Sequence, residues 1–401
     1  MHDLVVVGGG PSGSTCARDA ALRGLDVVLI EQAAFPRDKL CGGALSPRVS
    51  SILDFDISSV IERPVHCAAV HAPSGRKFKV VRKDVTGHTV KRRNFDNYLL
   101  QKASEAGAEI VENTKVFAIE HLKSSIRILS HGDSFRSHLL VGADGVNSTI
   151  ARESGIRKGW PPQRVALSIA ADIPMDPDEI ERILGFEGCM GLPAIELYLW
   201  AIQNGYGWCF PKRDEINLGL GYMMKHQIEN LRVGWKAFLQ RFEEEKGVHL
   251  DTSNQSAFRV PLGRLDLKVT SRRTMLVGDA AGLVSPITGE GIYYAIRSGQ
   301  IAAQVAVETV KGRNPYHVAQ YERRLKKEFG TEFSAANFAS GVAYKSERNV
   351  ELLCQLAVDD LVLQNLIIDL ALGVRSISSI RMDITKHMLR HYPLKSLRLL
   401  A

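Results

Sequence analysis

Three features of this sequence are placed where they could do chemistry: a cysteine beside glycines, a glycine loop after an apolar run, and carboxylates at the ends of such runs. The cysteine is Cys41 in FPRDKLCGGALSPR (residues 35–48), followed by Gly42 and Gly43, with Arg37, Lys39 and Arg48 nearby. Nothing around it supplies further metal ligands, the six cysteines form no CxxC pair, and no Cys/His cluster has zinc spacing, so no metal site is expected. No spacing points to a disulfide partner either. Two readings stay open. Cys41 is a small, polarizable residue that lets the backbone pass close over a flat ring, or its thiol tunes that ring or relays a proton. The second reading expects Cys41→Ala to keep the cofactor and lose much of the turnover; full activity in that variant would rule it out.

The glycine loop has its own supports. LVVV (4–7) is a continuous apolar run of the kind that fills a central parallel strand. GGGPSG then sets Gly8, Gly10 and Gly13 in G-x-G-x-x-G register, STCARDAALRG follows at helical spacing with Gly24 as a stop signal, and DVVLIE (26–31) ends in Glu31. Gly8 permits the tight turn, Gly10 lets a pyrophosphate approach the backbone, and Gly13 lets the helix pack close to the strand. The helix N-terminus offers free N–H groups to phosphate. Glu31, 18 positions after Gly13, can accept hydrogen bonds from a ribose diol. Together these predict dinucleotide binding.

Two further segments choose the dinucleotide. HLLVGADG (138–145) leads into VNSTIAR, and RTMLVGDAAGLVSP (273–286) leads into ITGEGIYYAIRSGQIAAQVAVETV. Each is an apolar strand ending in a carboxylate, Asp144 or Asp279, that can face a ligand beyond the sheet edge. Asp279 would accept a hydrogen bond from a sugar-alcohol chain. The helix opening near Gly289–Gly291 would aim its positive end at a ring system and steady the negative charge a reduced flavin acquires. A nicotinamide gains no such charge on reduction, so the expected cofactor is FAD.

GGGPSG, Glu31, GADGVNS (142–148) and VGDAAG (277–282) resemble the FAD-binding set of the p-hydroxybenzoate-hydroxylase-type flavoproteins. FPRDKLCGGALSPR, the GYGWCFPK…INLGLG stretch (205–221) and SPITGEGI (285–292) narrow the resemblance to the geranylgeranyl reductase family, over about residues 3–310. The resemblance implies that Gly8, Gly10, Ser12, Gly13 and Glu31 hold the ADP half, and that Cys41, Gly42 and Ala44 pass along the isoalloxazine. It sets Arg92, in an R-x-x-F-D helix start, against the pyrophosphate or a nearby carboxylate, and the Val116 backbone against the adenine. Asp144 with Gly145, Asp279, Gly291 and Ile292 complete the implied set, and Asp96 is expected to cap the helix that Arg92 opens. Where archaeal lipid reductases read C-x-E-G this chain has CGGA, which with its PRDK lead-in looks more like bacterial members, quinone-side-chain reductases included.

Positioning such a site needs more than one unit. At 401 residues the chain exceeds the ~250–300 residues at which single cores stop growing. The expected fold is α/β: a discontinuous Rossmann-like FAD-binding domain (1–65, 92–160 and 262–312), an antiparallel-sheet substrate lobe (66–91 and 161–261) and a C-terminal helical region (313–401). FKVVRKDV (78–85), AIELYLWAI (194–202), YGWCFPK (206–212) and INLGLGYM (216–223) read as strands of the lobe. Tyr198, Trp200, Tyr206, Trp208 and Phe210 supply aromatics to two adjacent strands. Some belong to an ordinary core and the rest to an apolar tunnel, with Tyr206 and Trp208 expected to face substrate. Pro211 ends its strand, placing Trp208 and Phe210 on one face and Cys209 on the other.

The implied reaction is hydrogenation of an isolated trisubstituted alkene in a polyprenyl chain on a lipid or quinone. Such a bond accepts hydride poorly, so protonation must lead or accompany the transfer; Cys41, Tyr206 and water are the candidate donors. No second G-x-G-x-x-G unit appears, so electrons would come from NAD(P)H docking transiently or from a ferredoxin-like protein. The alternatives are a flavin-dependent monooxygenase or halogenase of the same fold, whose W-x-W-x-I-P the GWCFP stretch partly resembles without the first Trp, and a non-catalytic flavin module.

Composition adds limits. Apolar residues make up 45% and charged residues 24%, ordinary for a globular chain. Lys and Arg exceed Asp and Glu by 51 to 44, a net +7, which suits phosphate ligands, an anionic membrane surface or an acidic redox partner. No basic run interleaved with aromatics points to nucleic acid. No leader is read in MHDLVVVGGG, and no apolar window of ~18 residues is free of charge. With scattered cysteines, a cytoplasmic protein is expected, with peripheral contact at the inner membrane face left open. Residues 350–374 read as an amphipathic helix pair covering the body, or as a membrane-surface helix.

Overall fold

The apolar run LVVV becomes the middle of a parallel sheet because neighbours bury it on both faces. The structure, a computed structural model, describes residues 1–185, 192–224, 230–264, 266 and 268–400. His2–Val7 lies between Val27–Ile30 and Ser134–Gly142, parallel to both, with Val7 beside Ile30 and Gly142. Glu109–Val111 and Thr274–Leu276 extend the sheet in the same sense. The loops after Val7, Ile30, Gly142 and Leu276 therefore leave from one edge. Helix α1 (Pro11–Leu22) follows the glycine loop and ends before Gly24 at φ +84°, and α2 (Arg92–Glu105) packs beside it. The cap of α2 differs from expectation. Its N-cap is Lys91, and Asp96 lies one turn inside, where an acid meets Arg92 at i,i+4 instead.

A second, seven-stranded sheet runs in the order Ser256–Pro261, Val165–Pro174, Glu215–Met223, Gly205–Pro211, Ile195–Tyr198, Cys67–His71, Lys77–Val81. All pairs are antiparallel except Ile195–Tyr198 with Cys67–His71. Two strands are shorter than their sequence patterns. Lys77–Val81 ends where its single partner ends, each residue pairing one of Cys67–His71, and Ile195–Tyr198 stops where the same partner stops. Alternation along the strands divides the aromatics. Tyr198 and Cys209 turn toward α3 (Leu231–Lys246), packing with Trp235, Phe238 and Phe242. Trp200 sits in a turn beneath the Arg241 guanidinium, 3.7 Å from its ring centroid. Only Tyr206, Trp208 and Phe210 face the other way, into the cleft. A carboxylate in this core must be paired: buried Glu196 takes Lys246 Nζ at 2.8 Å and the Tyr198 hydroxyl.

The chain returns to the first sheet through α4 (Ile292–Lys311), which packs tightly on α1 because Gly299 has no side chain; a Cβ there would fall 2.3 Å from Ser12 O. Five helices follow the 3₁₀ turn after α4: α5 (Gln320–Ala343), α6 (Glu347–Asp359), α7 (Leu361–Ala371), α8 (Ile377–His391) and α9 (Pro393–Leu400). The pair expected at 350–374 is α6 and α7, and it covers Val70, Phe78 and Val80 of the second sheet. Asp360 makes the corner between them. Its carboxylate caps α7 through Val362 N and Leu363 N and also holds His387 and Tyr392. Among the described residues no helix is long and apolar enough to cross a membrane. Cys16, Cys41, Cys209 and Cys354 are free thiols; Cys67 is disulfide-bonded, unlike the scattered reduced cysteines expected, and Cys189 lies outside the described residues.

Candidate active site

The glycine loop is shaped by backbone contact. Gly8 sits at φ +108°, where an added Cβ would lie 2.4 Å from Ala143 O; one on Gly13 would lie 1.9 Å from Gly8 O. Gly10 differs: its nearest neighbour is the Arg37 guanidinium, 3.7 Å away, so the backbone there is open to a ligand. Arg37 Nη1 is buried and lies 3.2 Å from Asp96 Oδ2, an ion pair without a hydrogen bond. The N-terminus of α1 carries no side-chain cap. An unspent guanidinium donor, free helix N–H groups and a side-chain-free approach fit a pyrophosphate. Glu31 Oε2 accepts Gly9 N at 2.7 Å and Oε1 accepts Ala33 N at 3.1 Å, so it braces the loop while each oxygen keeps a lone pair for a sugar hydroxyl. Ser12 packs against Gly278. Val116 begins the outlying strand Val116–His121.

One carboxylate departs from the sequence reading, and another settles which partner Arg92 takes. Asp144 does not turn outward: it accepts Ser148 Oγ at 2.6 Å and Ile150 N at 3.0 Å, because the short helix Thr149–Glu153 needs its first donors satisfied. Arg92 meets Asp96 bidentately at 2.7 and 2.8 Å and also faces the Cys41 sulfur, so its partner is a carboxylate. Asp279 lies in the short helix Gly278–Ala281 that follows its strand. Burial raises its pKa, opposed by the charges of Lys39 and Arg92. Its Oδ1 is 3.8 Å from where a Cβ on Gly291, the N-cap of α4, would sit. Ile292 begins that helix. Asp279 and the uncapped α4 terminus are thus side by side, as a polyol chain and an electron-rich ring require.

Opposite them runs the Cys41 segment. Gly43, at φ +75°, passes so near Val90 that a Cβ would lie 2.1 Å from its carbonyl oxygen, and a Cβ on Gly42 would lie 2.5 Å from the Phe210 ring. Ala44 pairs with Thr89. The Trp208 indole donates to Asn217 Oδ1 at 2.7 Å, and Asn217 donates to Asp172, which fixes the ring over Gly219. The Tyr206 hydroxyl donates to Thr288 O. Cys41, Gly42, Ala44, Tyr206, Trp208, Gly291 and Ile292 all line one cavity of about 200 Å³.

Sequence reasoning missed two parts of this site. Glu290 also lines the cavity and accepts Ser46 Oγ at 2.5 Å. It lies in SPITGEGI, between two glycines at a helix start, and that placement is its signal in the sequence. The second part is a cavity of about 330 Å³ walled by α5, α6, α7, α8 and α9, by Val70 and Leu197 of the sheet and by Leu199 just past its strand. It shares Leu197, Tyr206, Phe210, Ile287, Thr288, Tyr344 and Ala371 with the first. No local motif marks it, since residues lining a void repeat at the same helical spacing as core residues.

Residues 1–182 match the family model described as FAD binding domain. The chain is 30% identical over 347 residues to digeranylgeranylglycerophospholipid reductase 2 of Methanothermobacter thermautotrophicus, covering 82% of this chain and 84% of that protein. The crystal structure of a geranylgeranyl bacteriochlorophyll reductase-like protein from Thermoplasma acidophilum superposes with a TM-score of 0.81 at 25% identity, covering 100% of this chain and 99% of that one. A flavin-dependent brominase shares the fold at TM-score 0.70 and 18% identity, covering 97% and 100%.

Proposed function

Because the chain belongs to the geranylgeranyl reductase family of FAD-dependent oxidoreductases, we propose that it saturates C=C bonds of a polyprenyl chain carried on a lipid or quinone. The observation that carries this reading is a pair of adjacent cavities with walls in common. The first meets the Cys41 segment and the α4 terminus; the second lies beside it, an almost wholly apolar space under the C-terminal helices. A compact polar aromatic substrate needs no such extension, whereas a long hydrocarbon tail does. In this reading Tyr206, Trp208 and Phe210 bound the reacting segment, and Gly42 and Gly43 bring the backbone close to the ring. Cys41 either shapes that approach or acts through its thiol. Bound FAD supplies the hydride; Asp279, Glu31, Arg37 and the two helix termini hold it.

The outer surface of α8 and α9 supports entry from a lipid phase. Met382, Leu389, Leu394 and Leu397 are exposed there among exposed Arg381, Lys386, Arg390, Lys395 and Arg398, a pattern that suits an anionic bilayer surface. The electron donor in this proposal is NAD(P)H or a ferredoxin-like protein.

The test is anaerobic turnover with dithionite as reductant and a geranylgeranyl lipid in vesicles. Multiple saturated products are expected, formed faster from anionic than from zwitterionic vesicles, and reduced protein mixed with oxygen should return to the oxidised spectrum with no long-lived intervening species. A persistent oxygen-dependent species with no prenyl reduction would favour the monooxygenase or halogenase reading instead.

A further inference from the structure

We propose that Glu290 is the acid that protonates the substrate double bond, its carboxyl donating from the wall of the first cavity. This rests on reading that cavity as the place of alkene reduction.

Several groups around the cavity carry protons. Cys41 is one, and its sulfur is engaged by Arg92. The Tyr206 hydroxyl is committed to Thr288 O and that of Tyr344 to Ile287 O, and burial pushes both phenols well above their ordinary range. Burial and nearby His66 push His88 down, against its charged form. Glu290 is in another state because of what packs on it. Ser46, the N-cap of the short helix Pro47–Ile52, donates to Oε1 at 2.5 Å. Arg48, on that same helix, approaches Oε2 only to 3.9 Å, because its guanidinium is given to Glu332 of α5 at 2.6 and 2.9 Å. Tyr294 of α4 donates to Glu332 as well, at 2.8 Å. From the α7–α8 connection Gly373 comes near: a Cβ there would lie 3.0 Å from Oε2. One arginine thus serves two buried carboxylates, and Glu332 takes its hydrogen bonds. Glu290 is left with a single hydroxyl donor, and Oε2 has no hydrogen bond.

A buried carboxylate in that position holds its proton. Burial, with the Glu332 charge adding to it, raises the Glu290 pKa to about 7 against the pull of Ser46 and Arg48. It is therefore a carboxylic acid below neutrality and an effective donor near it.

The chemistry balances. The π bond breaks, the Glu290 proton forms the new C–H bond at the less substituted carbon, and positive charge develops on the tertiary carbon. That carbon takes the hydride from reduced FAD, which is oxidised by two electrons. Glu290 is left as a carboxylate facing Ser46 and Arg48 and regains a proton from water.

Glu290→Gln keeps the shape and cannot donate. In the holoenzyme it should retain FAD content, flavin reduction by dithionite and prenyl-lipid binding, while single-turnover alkene reduction falls by about 10²–10⁴-fold. The wild-type rate should decline as pH rises through about 7, and Glu290→Gln should lose that limb. Infrared difference spectra across the same pH range should show a protonated-carboxyl C=O band in the wild type that the variant lacks. Glu290→Asp should restore part of the rate. Glu290→Gln with near wild-type reduction, an unchanged alkaline limb, or no such carboxyl band overturns the proposal while leaving the reductase reading intact. If the wild type itself reduces no prenyl substrate, the reading and the proposal fall together.

Discussion

Gly8→Ala should yield folded protein that has lost its yellow colour. At φ +108° an alanine pays left-handed strain, and its Cβ would stand 2.4 Å from Ala143 O and 2.6 Å from Ala143 C. Neither backbone can step aside cheaply, since Ala143 N donates to Val7 O at 2.8 Å and Gly8 N donates to Ile30 O at 2.8 Å. The loop must move instead, and with it the Gly10 backbone and Gly9 N, which Glu31 holds at 2.7 Å. The strain alone costs about 1–3 kcal/mol. Charged against the bound conformation, that weakens FAD by about tenfold to a hundredfold, before any loss of pyrophosphate contact. The measurements are the flavin absorbance of the purified protein and an equilibrium FAD titration, with circular dichroism as the check on folding. Gly159→Ala is the control, since an added Cβ there meets nothing within 4 Å. A Gly8→Ala protein that purifies with wild-type FAD content would contradict the role given to this loop.

The loop could be read in the sequence because each of its demands is local: a buried strand, a turn and a helix start are all set by residues within one βα unit. Strand alternation was equally legible, which is why Trp208 and Phe210 stand opposite Cys209 as expected. What failed depended on partners far along the chain or on competition for hydrogen bonds. Asp144 looks the same in sequence whether it faces a ligand or caps Thr149–Glu153, and the unsatisfied N–H groups of that helix decide it. Asp96 lies only four residues from Arg92, but its ion pair also draws in Arg37 from another segment. Glu290, proposed above as the acid, is short of partners because Arg48 gives its hydrogen bonds to Glu332, 284 positions away. The aromatic list divided for a related reason. Tyr198 meets Phe238 and Phe242 of a helix that no strand pattern announces.

The C-terminal helices offer the other large effect. Ala371, at the end of α7, lines both cavities, whereas Ala339 of α5 lines only the second. Ala371→Trp should close the junction, and Ala339→Trp should fill space farther along. Because both side chains would grow into a void, overpacking strain stays small, and thermal unfolding should shift little. The activity change should depend on chain length. Burying hydrocarbon is worth about 0.8 kcal/mol per CH₂, so each five-carbon prenyl unit shut out forfeits up to about 4 kcal/mol of binding, on the order of 10³-fold in kcat/KM. Ala371→Trp should therefore spare substrates with one or two prenyl units and suppress the geranylgeranyl compound. Ala339→Trp should penalise only the longest chains, so the two variants order the cavities along the tail. Flavin reduction should be unaffected in both, because neither residue approaches the glycine loop or Asp279. If short and long substrates fall equally, or if neither variant changes the chain-length preference, the tail does not lie under α5–α8 and the second cavity has another occupant.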